Sequence, residues 1–169
     1  MQSSMYQSSV PVFTRMLGNL ISILEKGEAY ARERGIEDGV LLNARLFPDM
    51  FPLVRQVQIA CDIPKRGAAR LAGKEPPETA DTEASFGAII DRVRGTIEYL
   101  NGLDPAAIDG SEALTITIKV GGKETTFAGM PFLLNFVLPN LYFHVTTAYN
   151  ILRHNGVGLG KRDFLGPYA

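Results

Sequence analysis

Two pairs of polar residues lie among apolar residues on predicted helices, and their spacing suits a shared binding site. Gln58 and Asp62 are four residues apart, and so are Asn140 and His144. Residues four apart lie about one turn from each other on the same side of a helix, so a helical bundle can aim both at one interior point. Asp62 and His144 are strong candidate metal ligands, whereas Gln58 and Asn140 are weak ones. The four residues therefore predict a polar pocket with too few strong donors for a tightly held metal.

The same part of the sequence also has structural explanations. His144 could be a core histidine whose ring nitrogens bond to neighbours such as Asn140 or to water. Asp62 could cap a helical segment that restarts at Pro64. Cys61 lies in an apolar stretch, which favours a buried inert thiol over a nucleophile. Spacing alone leaves the roles of His144 and Asp62 open.

Basic residues gather near the predicted end of the second helix. They are Lys65, Arg66, Arg70 and Lys74. Cations near the carbonyl end of a helix interact favourably with its dipole, which accounts for the cluster without a ligand. No combination of Ser, His and Asp typical of a hydrolase stands out in the sequence.

Four long helices should position these side chains, because apolar residues recur every three or four positions in four segments. The predicted segments run from about Val12 to Arg34, from Phe51 or Pro52 toward Leu71, from a cap at Asp81 or Thr82 through Leu100, and from Met130 or Pro131 to about His154. Ser8 or Ser9 can cap the first helix. Gly35 and Gly156 are suited to end the first and the last helix.

Two prolines fall inside these predicted helices. Pro64 removes a backbone donor and crowds the carbonyl of Ala60, so we expect the second helix to kink or break there. Pro139 should bend the last helix about one turn before His144.

The segments between and after the helices have loop composition. Residues 36–49 predict a connecting loop that covers the bundle, and residues 73–81 predict a surface loop. The tail, residues 157–169, holds Phe164 and Tyr168 and should pack across the bundle as an ordered strap.

A change to a period of two separates the third and fourth helices and predicts a β-hairpin. The predicted strands run from Leu114 to Val120 and from Lys123 to Phe127 or Ala128. Gly121–Gly122 can form the tight turn between them. In this register Lys119 faces Glu124 and Ile116 faces Phe127. Because two strands alone are marginally stable, the hairpin must pack on the helices or on another chain.

Length and composition indicate one soluble domain that spans residues 1–169. The chain has 46% hydrophobic residues, enough to fill a single core. Its 17 Lys and Arg against 18 Asp and Glu supply no broad positive field, so we expect neither nucleic acid nor membrane as a partner. With Cys61 as its single cysteine the chain forms no internal disulfide, and we predict a cytoplasmic protein.

Two long segments resemble a family of uncharacterised proteins related to the DinB and YfiT group. They are residues 45–71 (RLFPDMFPLVRQVQIACDIPKRGAARL) and residues 136–166 (FVLPNLYFHVTTAYNILRHNGVGLGKRDFLG). The resemblance implies a mainly α protein: a DinB-like four-helix bundle, often dimeric, here with the hairpin inserted between the third and fourth helices. It also implies that many relatives bind a divalent metal through three histidines, one on the second helix and two on the fourth.

The metal ligands that this resemblance implies match the sequence only in part. Counted back from Gly156, His144 falls at the last histidine and Asn140 at the preceding one. Gln58, or Asp62 one turn later, stands where the second helix would carry a histidine. Because two of three imidazoles are missing, we predict no cofactor and at most a weakly bound divalent ion.

Three functions follow as hypotheses. The first is a polar small-molecule pocket formed by Gln58, Asp62, Asn140 and His144. The second is a homodimeric interaction or stress-response scaffold that uses the hairpin and an apolar face of the bundle. The third is a divalent-metal-dependent hydrolase or transferase, because glutamine and aspartate can provide oxygen ligands for harder ions. The sequence leaves open whether the protein is an enzyme.

Overall fold

The computed structural model describes residues 4–167, which are mainly helical with a small two-stranded antiparallel sheet. The long helices are α1 (Val10–Glu33), α3 (Leu53–Leu71), α4 (Phe86–Asn101) and α7 (Leu138–His154). The shorter elements are α2 (Asp38–Leu42), α5 (Pro105–Ile108), strands β1 (Thr115–Val120) and β2 (Lys123–Ala128), α6 (Gly129–Phe132), a π-helical turn (Leu133–Val137) and α8 (Lys161–Leu165). The prediction of a mainly helical chain with an inserted hairpin is confirmed.

The long helices bury their apolar stripes against one another. Helix α1 packs on α4 and α7, and α3 packs on the same two helices. The largest fully buried side chains include Phe13, Leu17, Leu53, Phe86 and Ile89. Burying a side chain of this size contributes roughly 1.5–3 kcal/mol, so helix packing is the main source of stability. No helix of the described range combines the length and the hydropathy needed to cross a membrane.

Helix α1 ends as the sequence predicts but begins differently. Gly35 adopts a φ of +63°, which favours glycine and ends the helix. The Ser9 hydroxyl donates to the Met5 carbonyl at 2.7 Å and makes no cap bond. The prediction of a side-chain cap at Ser9 is therefore wrong, because the preceding turn offers its hydroxyl an acceptor.

Helix α3 continues through Pro64, so a break at this residue is ruled out. An interior proline destabilises a helix by about 3 kcal/mol through its lost hydrogen bond. Packing of α3 against both α4 and α7 outweighs that loss. Because no new segment starts at Pro64, Asp62 is not a helix cap.

The segment before α4 also differs from the prediction. The cap is Ser85 rather than Asp81 or Thr82, and its hydroxyl accepts from the Ala88 amide at 3.1 Å. The residues 36–49 form more than a loop, because they contain α2. Asp38 at the start of α2 accepts from the Phe86 amide at 2.9 Å. Two acceptors from different segments thus fix where α4 begins.

The hairpin forms in the predicted register. Lys119 pairs with Glu124 and Ile116 with Phe127, and Gly121 and Gly122 adopt positive φ angles of 57° and 82°. The hairpin packs on the helices, as expected of a pair of strands. The Phe127 ring lies 5.9 Å from Phe132 and 5.8 Å from Phe136, centroid to centroid.

The last predicted helix is divided into α6, the π-helical turn and α7. Pro139 lies in the first turn of α7. Proline has no backbone N–H, so it cannot donate the regular helical hydrogen bond. The widened turn at Leu133–Val137 lies directly before it, so the chain accommodates the proline through π geometry. The irregularity of the last helix near Pro139 thus includes a change of helical type. Gly156, with a φ of +96°, ends α7 as predicted.

The tail packs on α1, which confirms the predicted strap up to residue 167; Tyr168 lies outside the described residues. Asn19 on α1 donates to the Phe164 carbonyl at 2.9 Å. Arg15 donates to the Pro167 carbonyl at 2.8 Å. Lys26 and Asp163 form an exposed ion pair at 2.6 Å.

Candidate functional site

His144 lies buried on α7 and is hydrogen-bonded to Gln56 on α3. Its Nδ1 lies 2.7 Å from the Gln56 Oε1. The Gln56 Nε2 donates to the Phe51 carbonyl at 3.1 Å, which fixes the amide orientation and places Oε1 toward the ring. An amide oxygen only accepts, so Nδ1 carries the proton and Nε2 keeps a lone pair. Nε2 has no hydrogen-bond partner between residues 4 and 167.

Two effects keep His144 neutral. Burial, and after it the positive charge of Arg55, lower the pKa of His144 below its ordinary 6.5. The ring is therefore uncharged at neutral pH, in agreement with its hydrogen bond to a neutral amide.

Gln58 and Asp62 belong to a different cluster. Gln58 accepts from Arg55 at 3.2 Å and donates to Glu83 at 2.8 Å. Asp62 pairs with Arg92 at 3.1 Å and with Lys65 at 3.3 Å. Because Glu83 also pairs with Arg92, at 2.9 Å, one network joins Gln58 to Asp62.

Asn140 joins neither cluster. Its Nδ2 donates to the Phe136 carbonyl of its own helix at 2.6 Å. Among the described residues no hydrogen bond connects it to His144, and the partner of the ring is Gln56 instead. The four predicted site residues thus occupy three places: Gln58 and Asp62 are brought together, while Asn140 and His144 lie apart from them.

The residues at the implied ligand positions do not fit a metal. Asn140 is bonded to its own backbone, and Gln58 is held between Arg55 and Glu83. Within residues 4–167 no group of three or more His, Cys, Asp and Glu could hold an ion. A transition-metal site needs several such donors converging on one point.

Arg92 is the centre of the charged cluster, which we call the Arg92 network. Its Nη2 pairs with Asp62, and its Nη1 contacts Asp81 and Glu83 at 2.9 Å and the Ala80 carbonyl at 3.0 Å. The side chain is only 3% exposed. Its Nε–H is buried and has no acceptor in the described part of the chain. A buried donor without an acceptor is rare and unfavourable.

Charges around Arg92 stabilise its ionised form. Burial acts to lower the pKa of Arg92, but the hydrogen bond to Glu83 and the charge of Asp62 outweigh it and raise this pKa. For Glu83 burial acts to raise the pKa, and the hydrogen bonds from Arg92 and Gln58 outweigh it and lower that pKa. Both groups are therefore held in their charged forms.

A cleft of about 630 Å³ opens beside this network, between α3, α4 and the segment that connects them. We call it the Arg92 cleft. Its polar lining comprises Lys65, Thr79, Thr82, Glu83, Arg92 and Thr96. Gly95 and Tyr99 of α4 form part of the apolar wall. Small-molecule sites likewise combine polar groups with apolar walls.

Cys61 on α3 is fully buried. Burial raises the pKa of Cys61 to about 12, which leaves the thiol protonated at neutral pH. A protonated buried thiol is a poor nucleophile, as predicted from its apolar surroundings.

Sequence reasoning missed Gln56 and Arg92. Each interrupts an apolar stripe that was correctly identified: Gln56 lies three residues after Leu53, and Arg92 lies three after Ile89. A polar residue in phase with a buried stripe is a signal for a buried interaction. Gln58 is buried too, but it lies about 200° around α3 from Gln56, and its partners are Arg55 and Glu83 rather than His144.

Comparison with known proteins supplies the family. The sequence model of one protein family, the domain of unknown function DUF1993, matches residues 5–165. A crystal structure of a DinB family member protein from Shewanella denitrificans is 43% identical, with a TM-score of 0.87, and the match covers 96% of this chain and 92% of that chain. No curated protein matches the chain significantly. The chain therefore belongs to the DUF1993 family of DinB-like proteins.

Proposed function

We propose that this protein binds a small, uncharged organic molecule in the Arg92 cleft. The observation that carries the proposal is the buried Arg92 Nε–H, which lacks an acceptor within residues 4–167 beside a cleft of about 630 Å³. The Nε–H is closed to solvent, so the Arg92 side chain must turn slightly toward the cleft before a ligand can reach it. A ligand carbonyl or hydroxyl that then bonded to this donor would remove an unfavourable term of roughly 1–3 kcal/mol. The volume lies within the range of about 300–1,000 Å³ that is usual for ligand sites.

The pairing of charges favours an uncharged ligand. Lys65 forms an ion pair with Asp62 and a hydrogen bond with Thr79. Arg92 forms ion pairs with three carboxylates. A charged ligand would have to replace one of these internal partners and desolvate its own charge. In this proposal Gln58 and Asp62 position Glu83, Lys65 and Arg92, and His144 and Asn140 take no part.

We also infer the DinB-like four-helix-bundle arrangement for α1, α3, α4 and α7. Contacts of α1 with α4 and α7, and of α3 with the same two helices, support it. The similarity to the DinB family structure, with a TM-score of 0.87, supports it as well.

Gly95 allows a direct test of the cleft. It lines the cleft, and a Cβ added there would meet no atom within 4 Å. Gly95→Leu should therefore fill the cleft without strain and even favour the helix, because glycine is about 1 kcal/mol less favourable than alanine there. Gly18→Leu on α1 is the matched control, since its added Cβ is equally free.

The binding assay is a screen of uncharged fragments with carbonyl acceptors, followed by amide chemical shifts in NMR spectra. We expect hits that shift Thr96 and Tyr99, that lose binding in Gly95→Leu, and that keep it in Gly18→Leu. Hits that bind Gly95→Leu and wild type equally would refute the proposal.

A homodimer is a second candidate, and a patch of exposed aromatic side chains favours it. Phe47, Phe51 and Phe143 are 65%, 55% and 57% exposed. The Gln56–His144 pair connects the segments of two of them, because Gln56 donates to the Phe51 carbonyl and the His144 ring lies 5.2 Å from the Phe143 ring, centroid to centroid. Aromatic residues are enriched in interface cores.

Light scattering tests the dimer. Phe143→Ser should lower the measured mass from that of a dimer to that of a monomer. Leu134→Ser should not, because Leu134 lies on the π-helical turn, where it is 48% exposed. A monomeric wild type would exclude the dimer.

A further inference from the structure

A second cleft lies between α3 and β1, with a volume of about 420 Å³. Arg66 and Arg70 line it from the helix, and Thr117 and Lys119 line it from the strand. Residues four apart on a helix, or two apart on a strand, lie on the same side of their element. Arg66 and Arg70 thus turn into one concave surface, which we call the basic cleft, and the exposed Thr117 and Lys119 lie at its rim.

Positive charge in the basic cleft is only partly compensated. No carboxylate in the described range lines it. Arg66 forms an ion pair with Asp62 at 3.4 Å, and its side chain stays 47% exposed. Arg70 and Lys119 form no ion pair with any residue between 4 and 167. Two of the three cations are therefore available to an external anion.

The nearest acidic residues do not neutralise these cations. Glu124 is opposite Lys119 in the strand register but forms no ion pair with it in the described structure. Glu75 lines a neighbouring groove that Arg70 also borders, and it forms no ion pair with Arg70 in the described structure. Burial, and after it the charge of Arg66, lower the pKa of Arg70, and the charge of Glu75 does not offset them. An anion between the two guanidinium groups would relieve this repulsion.

The helix end does not account for the cluster. Of its members on α3, Arg70 lies in the last turn, where a cation interacts favourably with the helix dipole. This effect falls off within that turn, and Arg66 lies one turn earlier. Lys119 belongs to a strand and has no relation to the helix end.

An apolar floor lies beneath the cations. Ile63, Phe132 and Phe136 line the same cleft. The Phe132 and Phe136 rings are stacked at 5.7 Å with an interplanar angle of 14°. A flat apolar surface next to guanidinium groups suits a ligand that has a ring at one end and an anionic group at the other.

We propose that the basic cleft binds a small molecule in which a phosphate or carboxylate group is attached to an apolar ring. Arg66 and Arg70 hold the anionic oxygens through charge-assisted hydrogen bonds, and Lys119 adds a further donor. The ring rests on the partly buried Ile63 and Phe136, and the fully buried Phe132 stacks against Phe136 and supports it. This site is independent of the Arg92 cleft, so either one can fail without the other.

Isothermal titration of the full chain with four probes tests the proposal. Phenyl phosphate and benzoate carry both parts of the ligand, inorganic phosphate carries only the anion, and phenol carries only the ring. We expect one of the first two to bind about tenfold more tightly than either of the others. Lys119→Gln and Arg70→Gln should each weaken that binding about tenfold.

Lys123→Gln is the matched control, because Lys123 is exposed on the same hairpin and lies outside the cleft. Lys119 is also exposed, so its substitution leaves the fold intact. Equal loss in Lys119→Gln and Lys123→Gln would overturn the proposal, as it would indicate unspecific charge attraction. Binding of inorganic phosphate as tight as that of phenyl phosphate and benzoate would overturn it too, and so would no saturable binding of either by about 1 mM.

Discussion

Gln56 and Gln58 lie two residues apart on α3, about 200° around the helix, and they serve two polar clusters of opposite character. Gln56 forms a neutral pair with His144, and each ring or amide group has one or two partners. Gln58 contacts Glu83 in the Arg92 network, where Arg92 alone meets three carboxylates and a carbonyl. A buried charge is more costly to leave unpaired than a buried neutral group, so it needs more partners. The comparison predicts that the two clusters respond differently to mutation and to pH.

Loss of Arg92 should have the largest effect. Arg92→Ala leaves Asp62 and Glu83 facing each other without their buried cation, so we expect the free energy of unfolding to fall by about 3–5 kcal/mol in urea denaturation. Arg94→Ala is the control, because Arg94 is 56% exposed and pairs with Glu25 and Asp91 at the surface. Its loss should amount to no more than about 1 kcal/mol. Similar losses for both arginines would contradict the importance assigned to burial.

A smaller effect is expected in the neutral pair. Gln56→Leu leaves the buried His144 N–H without its acceptor, which should destabilise the fold by about 1–3 kcal/mol. The double variant Gln56→Leu/His144→Leu removes both partners and should lose less than the sum of the two single variants. Urea denaturation of the four proteins in this cycle measures the difference. Strict additivity would indicate that the 2.7 Å hydrogen bond contributes nothing.

The smallest effects should come from the protonation of single side chains. They occur at different pH values in the two clusters. The pKa of His144 is lowered from 6.5, so the folded state binds fewer protons than the unfolded state. The neutral histidine therefore contributes its full stabilisation above pH 6.5. This stabilisation is lost as the pH falls through the lower pKa of the folded state. The pKa of Glu83 is lowered from 4.5, so its contribution is full above pH 4.5 and is lost only in more acidic solution.

Denaturation at a series of pH values checks this order. His144→Leu should remove part of the loss that begins near pH 6.5, and Glu83→Gln should remove part of the loss below pH 4.5. An unchanged pH dependence in His144→Leu would show that the histidine is not shielded from protonation.

Local patterns predicted most of the fold. The period of the apolar residues placed the long helices, and the Gly121–Gly122 turn with alternating residues predicted the hairpin down to the Lys119–Glu124 pair. These features depend on neighbours in sequence, which a pattern records. The uninterrupted α3 was not predictable, because the effect of Pro64 is outweighed by packing against α4 and α7.

The candidate site was predictable only in part, because its contacts join residues that are distant in sequence. The four-residue spacing correctly grouped Gln58 with Asp62, but their common partners Glu83 and Arg92 come from distant positions. For Asn140 the same spacing failed, since its side chain bonds to the Phe136 carbonyl within the π-helical turn. Spacing indicates which side of a helix a residue occupies, whereas the choice of partner depends on the other helices.

A crystal structure of the full chain soaked with uncharged carbonyl fragments tests the central claim most directly. We predict density for a fragment in the Arg92 cleft, with its oxygen about 2.7–3.2 Å from the Arg92 Nε. A cleft that holds only solvent, with a carboxylate of Asp81 or Glu83 turned to accept from Nε, would contradict the account.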